Sequence, residues 1–264
     1  MSLGVVIKGP EGLVLAADSR VTLEARQGDN PPISVHFDNS TKLLSFNGHS
    51  YVGAVTYGAA IIGARTAHSY IPEFENELAE GRLSVSQFAR ELSTFFLARW
   101  NAHPTQKGPA GGDMTFIVGG YNEGEPYGEV YLFSIPNQPD PEPRNSGANN
   151  FGMTWGGQME LASRLIHGYD PMLVPALKEE LKLPDETLIK IQGILKKLQF
   201  PIPYQVLPLQ DCVNLATLLI RTTISAQSVC IGIRGVGGPI DIATITRTDG
   251  LQSVQSKKIQ GEWL

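Results

Sequence analysis

Residues 1–18, MSLGVVIKGPEGLVLAAD, decide how the rest of the chain is read. Leu3, Val5 and Ile7 alternate as a strand requires, Gly9-Pro10-Glu11-Gly12 has the composition of a tight turn with proline at its favoured second position, and Leu13 to Ala17 runs back apolar. With Pro10 and Glu11 as the turn residues, Gly9 faces Gly12 and paired positions sum to 21. That register sets Leu3 opposite Asp18, with Ser2 as its neighbour. Consecutive apolar residues in both strands, Val5-Val6-Ile7 and Leu13-Val14-Leu15, predict sheets covered on both faces. Ser2 also has a chemical interest. An initiator methionine is removed when a small residue follows it, and Ser2 would then carry a hydroxyl nucleophile and an α-amine whose pKa of roughly 8 suits a general base.

Composition limits the classes that remain. A chain of 264 residues with 42% hydrophobic residues can bury a sizeable core, and we read 1–264 as one domain with insertions near 23–39, 136–150 and 173–208. A net charge of −5 argues against nucleic acid or an anionic membrane as partner. Residues 1–20 lack the layout of a signal peptide and no apolar run reaches spanning length, which predicts a cytoplasmic protein. Cys212 and Cys230 read as buried free thiols. No cofactor and no metal is expected: the five histidines show no ligand spacing, and the glycine-rich KGPAGGD and RGVGGP lack phosphate-loop order.

Along the chain, the polar stretch to Asn39 reads as a loop. Lys42 to Phe46 and His49 to Thr56 form a hairpin around Asn47-Gly48. Gly58 to Leu78 has near-helical spacing at Ala60, Ile61, Ala64, Ala67 and His68, and Ser84-Val85-Ser86-Gln87 opens a second helix with a capping box. Met114 to Gly119 and Glu129 to Ile135 form another hairpin, Pro136 to Asn150 a loop, and a short strand follows near Phe151. Helices are predicted at Met159 to His167 and Asp211 to Thr223 around a partly helical insertion, then strands at Val229 to Ile233 and Ile240 to Thr246, a turn at Thr248-Asp249-Gly250, and a polar tail. The pattern gives an α+β class with large antiparallel sheets.

The run SLGVVIKGPEGLVLAADSRVT resembles the N-terminus of proteasome β-type subunits, in which a nucleophilic threonine opens the mature chain and a hairpin leads to Ala-Asp-Ser-Arg. Sixteen positions separate Ser2 from Asp18, as in that family, with serine in place of threonine. Thr41-Lys42-Leu43-Leu44 is similar to the family's lysine segment, and YVGAVTYGAAIIGAR, FIVGGYNEGEPYGEVYLFSI, GYDP and GGPIDIATITRTDG resemble later family segments. The resemblance implies the fold of the N-terminal-nucleophile (Ntn) hydrolases, a four-layer αββα sandwich of two antiparallel sheets between helices. It also implies catalytic roles for Ser2, Asp18 and Lys42.

Two departures stand out. The family's Gly-Ser-Gly turn, which supplies a serine near the terminal amine, is here Thr154-Trp155-Gly156-Gly157, so Thr154 is the neighbouring substitute, and Gly156 or Gly157 the candidate oxyanion donor. The family's Asp-x-x-Ser-Gly motif falls on residues 233–237, which hold neither carboxylate nor hydroxyl. Three function classes follow from the resemblance. The first is a peptidase cleaving unfolded polypeptides inside a homo-oligomeric ring, with an ATP-dependent unfoldase as partner. The second is a catalytically inactive ring or scaffold subunit, and the third a small-molecule Ntn amidohydrolase. Taken singly, Ser2 is an ordinary chain-end residue, Asp18 a local turn cap and Lys42 a solvated strand-end charge.

Overall fold

The computed structural model describes residues 2–25, 33–79, 81–103, 112–147, 149–232, 234–259 and 261. Fourteen strands and six α-helices occur among them. The opening hairpin is β1 (Leu3–Lys8) and β2 (Leu13–Ala17), paired from Gly4↔Ala17 to Lys8↔Leu13, the register predicted from the Pro10-Glu11 turn. β12 (Gly152–Gly157) pairs with the other side of β1. β13 (Asp241–Thr246) and β14 (Gly250–Gln255) extend the sheet beyond β2, giving the order β12-β1-β2-β13-β14. A second five-stranded antiparallel sheet has the order β11-β10-β9-β6-β5, built from β5 (Leu43–Ser45), β6 (Val52–Gly58), β9 (Met114–Gly120), β10 (Glu129–Ile135) and β11 (Gln138–Arg144).

Side-chain alternation decides how these sheets stack. Leu3, Val5 and Ile7 of β1 and Val14 and Ala16 of β2 pack with Cys212, Ala216, Leu219 and Ile220 of α6 (Leu209–Val229) and Ala162 of α3 (Glu160–His167). The intervening residues, Val6, Leu13, Leu15 and Ala17, face the other way and meet Val55, Ile117 and Val130 of the second sheet. The outer face of that second sheet packs on α1 (Ile71–Glu77) and α2 (Val85–Asn101) through an aromatic cluster that includes Phe74, Phe88, Phe95, Phe96, Phe116 and Phe133. The stacking order is therefore helices, sheet, sheet, helices, and the apolar runs in β1 and β2 are explained by cover on both faces. Among the described residues no helix is long and apolar enough to cross a membrane.

Several elements differ from the sequence reading. The stretch near 23–39 is not a plain loop: β3 (Val21–Ala25) and β4 (Ile33–Phe37) pair as a separate hairpin, and residues 26–32 lie outside the described residues. The Asn47-Gly48 turn exists, with His49 N–H donating to the Phe46 carbonyl at 3.1 Å. A second turn, Val52 N–H to His49 O at 3.1 Å, delays the strand, so Leu43 pairs with Val55. Gly58 to Thr66 is not helical. Gly63 takes φ +61 between β7 (Ile61–Ile62) and β8 (Arg65–Thr66), and helix begins only after a 3₁₀ turn at Ala67–Tyr70.

The expected loop at 136–150 contains β11. Its prolines 139, 141 and 143 lie on an edge strand, and Pro139 and Pro141 fall where the register with β10 shifts, two settings in which a strand tolerates proline. The expected strand at 229–233 is instead the end of α6 and the turn after it, with Ile233 outside the described residues, and the polar tail contributes β14. Cys212 is buried as expected, but Cys230 is exposed because it follows the end of α6. KGPAGGD lies largely outside the described residues. The insertion at 173–208 is partly helical, as read, with α4 (Leu173–Leu181) and α5 (Asp185–Lys197).

The capping box is formed as predicted: Ser84 Oγ accepts from Gln87 N–H at 3.3 Å, and Gln87 Oε1 accepts from Ser84 N–H at 3.1 Å. Replacing Ser84 by Ala should lower stability by about 1 kcal/mol, read from the denaturant midpoint at an unchanged m-value.

Candidate active site

The hairpin register brings Asp18 to the first residues of β1. Asp18 N–H donates to the Leu3 carbonyl at 3.3 Å, and Leu3 N–H donates to Asp18 Oδ1 at 3.0 Å. Asp18 is fully buried, a position a carboxylate can hold only when its oxygens are satisfied. Lys42 Nζ donates to Oδ1 at 2.8 Å, while Arg20 N–H and Gly237 N–H donate to Oδ2 at 3.1 and 3.0 Å. Lys42 enters at the start of β5, with its carbonyl accepting from Thr56 N–H at 2.9 Å and its ammonium also donating to the Arg20 carbonyl. Burial lowers the pKa of Lys42 below the ordinary lysine value, and the Asp18 charge and hydrogen bond oppose that shift.

Arg20 anchors the next turn of chain. Its guanidinium grips Asp38 through two hydrogen bonds of 2.6 and 2.7 Å and reaches the Arg234 carbonyl at 3.2 Å. That grip holds the Asp38 carboxyl below its usual range. A Cβ on residue 237 would stand 2.5 Å from the Arg20 guanidinium, so a side chain there would push the guanidinium away from its grip on Asp38.

Ser2 has the parity of Gly4 and Val6 and so faces the space between the sheets. It is buried and, with Lys42, lines a cavity of about 20 Å³ closed by Val21, Thr56, Tyr57, Ala60, Ala67 and Met114, space for a single water. Tyr57 lies against the strands that hold Ser2, and burial pushes its hydroxyl pKa up to about 12. The structure thus brings Ser2, Asp18 and Lys42 to one end of β1.

The remaining residues singled out from the sequence are placed differently. Thr154 is opposite Val6, four positions along β1 from Ser2 and so roughly 13 Å away at about 3.3 Å per residue. Its hydroxyl accepts from Asn145 Nδ2 at 3.4 Å, which leaves it out of the Ser2 cluster. Gln158 N–H donates to the Ser2 carbonyl at 2.7 Å, and ladder alternation then turns Gly156 N–H toward Gly4 and Gly157 N–H toward the free edge of the sheet. Neither N–H is directed at the Ser2 hydroxyl. Their register gives both glycines a packing role: a Cβ on 156 would meet Tyr57 Oη at 2.0 Å, and a Cβ on 157, where φ is +98, would meet the Ser2 carbonyl oxygen at 2.0 Å. Trp155 stands opposite Val5 and packs against the α3 and α6 side of the sheet.

Sequence reasoning missed Gly237, the Arg20 carbonyl and Tyr57. Only the doubled glycine in RGVGGP hinted at a close backbone approach. Among the described residues no group of three His, Cys, Asp or Glu side chains is arranged to hold a metal ion.

The buried ion pair predicts a stability cycle. Asp18→Asn or Lys42→Met alone should each cost about 3–5 kcal/mol by stranding the partner, and the double variant should recover part of that loss, as measured by chemical denaturation.

No family model matches the sequence, and no curated protein matches it. Solved structures do match. A Gly-1 mutant of Anbu from Hyphomicrobium sp. strain MC1 superposes with TM-score 0.59 at 16% identity, over 99% of this chain and 88% of that one. Anbu from Yersinia bercovieri, described as an ancestral β-subunit, gives 0.55 at 14% identity over 96% and 86%. The helical assembly of the Anbu complex from Pseudomonas aeruginosa gives 0.59 at 17% identity over 98% and 88%. The chain therefore has the fold of the solved structures of Anbu, the ancestral β-subunit.

Proposed function

We propose that this protein is an N-terminal-nucleophile peptidase that cleaves unfolded polypeptides within an assembly of its own copies. The observation that carries this reading is the buried contact of Lys42 Nζ with Asp18 Oδ1 at 2.8 Å beside Ser2, in a cavity that Ser2 and Lys42 share. A buried pair of this kind is costly, and its place beside a hydroxyl at the chain start fits a site.

In the proposed reaction the Ser2 hydroxyl attacks a peptide carbonyl and passes its proton to the α-amine of the same residue. The leaving amine takes that proton as the peptide C–N bond breaks, leaving an ester on Ser2. Water then attacks the ester with the α-amine again as base, releasing the carboxylic acid and restoring the hydroxyl. Lys42 holds positive charge beside the hydroxyl and favours its deprotonation, and Asp18 orients that ammonium. The mechanism requires Met1 to be removed, and Met1 lies outside the described residues.

Assembly is supported by the helical complex formed by the Anbu protein of Pseudomonas aeruginosa. A head-to-tail contact of that type closes as a ring or stays open as a helix, depending only on the rotation per copy. An ATP-dependent unfoldase belongs to this reading as the supplier of unfolded chains, and a cytoplasmic location follows with it. A catalytically silent assembly subunit is the second reading, favoured by Trp155 in place of a serine near the amine and by the absence of hydroxyl and carboxylate from residues 234–237. A small-molecule amidohydrolase would work without assembly.

Treatment with a peptide epoxyketone, which needs a hydroxyl and an amine on one residue, should add its mass to the N-terminal peptide of a chain that begins at Ser2. Ser2→Ala should abolish both adduct and peptide hydrolysis. An unreactive Ser2 chain would select the silent subunit. For the active enzyme, kcat/KM should rise with pH as the α-amine loses its proton, around an ordinary amine value of roughly 8, since only the neutral amine accepts the hydroxyl proton.

A further inference from the structure

We infer that Gln158 is a positioning residue for the α-amine of Ser2, its side-chain amide oxygen accepting a hydrogen bond from that amine once Ser2 opens the chain. The inference rests on the N-terminal-nucleophile reading above.

Gln158 and Ser2 stand opposite each other where β12 and β1 meet the chain start, joined by the 2.7 Å hydrogen bond from Gln158 N–H to the Ser2 carbonyl. Gly157 makes this approach available. Its φ of +98 turns the backbone before α3, in space that any Cβ would contest with the Ser2 carbonyl. Gln158 Oε1 is buried and has no hydrogen-bond partner among the described residues. A buried amide oxygen left unpaired is costly, so its retention calls for a donor.

The neighbours do not supply that donor. Gln158 lines a cavity of about 380 Å³ between α3 and α6 that also holds Arg164, Gln227 and Cys230. Arg164 donates through its Nε to Asp170, Gln227 accepts from Val236 N–H at 3.0 Å through its Oε1, and neither places an N–H on Gln158 Oε1. The α-amine of Ser2 belongs to the residue whose carbonyl Gln158 already holds. An amide oxygen can only accept, and an amine can donate in either protonation state, more strongly as ammonium.

The test uses the full chain beginning at Ser2. The pKa of its α-amine is measured from the pH dependence of acetylation by acetic anhydride, read as the mass of the N-terminal peptide, in the wild type, Gln158→Met and Gln158→Glu. The charged and titratable groups around this end, Asp18 and Lys42 on the sheets, Glu160 and Arg164 on α3 and Cys230 after α6, are the same in all three proteins and cancel in the comparison. Loss of the acceptor should lower the amine pKa by about one unit, and a carboxylate there should raise it by about one. A residue that only packed would move neither value. An amine pKa unchanged in both variants, with wild-type circular dichroism, overturns the inference; if Gln158→Met does not fold, the shift in Gln158→Glu decides it.

Peptide hydrolysis is assayed in parallel. A shifted pKa in a chain that cleaves no peptide keeps Gln158 as the amine's partner and removes the peptidase reading. Cleavage with an unshifted pKa does the reverse.

Discussion

The structure depends on one carboxylate with no exposure to solvent. Asp18 would be prohibitively costly to bury alone, and its cost is offset by four donors that arrive from four parts of the chain: the start of β1, the residue after next, the entry to β5, and the loop before β13. Each donor is a backbone or ammonium group that itself needs an acceptor. Asp18 therefore acts as the common anchor of both sheets at the end where the chain begins, tied directly to the start of β1 and the entry to β5.

Glycines make that anchoring geometrically available. Tyr57 reaches from the second sheet across Gly156 of the first, and Gly237 passes close under the Arg20 guanidinium as it donates to Asp18. At these positions a single methyl group would collide with a side chain that lines or braces the site, so packing and site geometry are one constraint there. Electrostatics follows from the same closeness. Burial weakens the charged form of Lys42 while Asp18 supports it.

The edges of the two sheets are managed by different means. β11 carries prolines at alternate positions and an irregular register, which makes it a poor template for a further strand. β12, the edge strand beside β1, ends in two glycines and turns into α3, and this turn carries Gln158 back onto Ser2. The end of an edge strand is thus used to finish the site, because it is the one part of a sheet free to leave the ladder.

The sequence alone determined the opening hairpin and its register, since Gly-Pro-Glu-Gly admits few turn geometries and a two-residue period leaves no freedom once the turn is placed. It also determined the capped helix α2, the β9 and β10 hairpin, and the spacing of Ser2, Asp18 and Lys42, all of them local patterns or distances along the chain. The tertiary structure decided the rest. β11 was hidden by its prolines, which read as loop until an edge position accommodates them. The 58–66 stretch had helical spacing, but Gly63 at positive φ and the pairing of Ile61 with Thr66 made it a hairpin. Gly237 and Gln158 come to Asp18 and Ser2 across more than a hundred residues of sequence, and Thr154, near Ser2 in an aligned motif, is carried away from it by strand register. Contacts of that range depend on which faces are buried together, a property of the assembled layers that no single segment encodes.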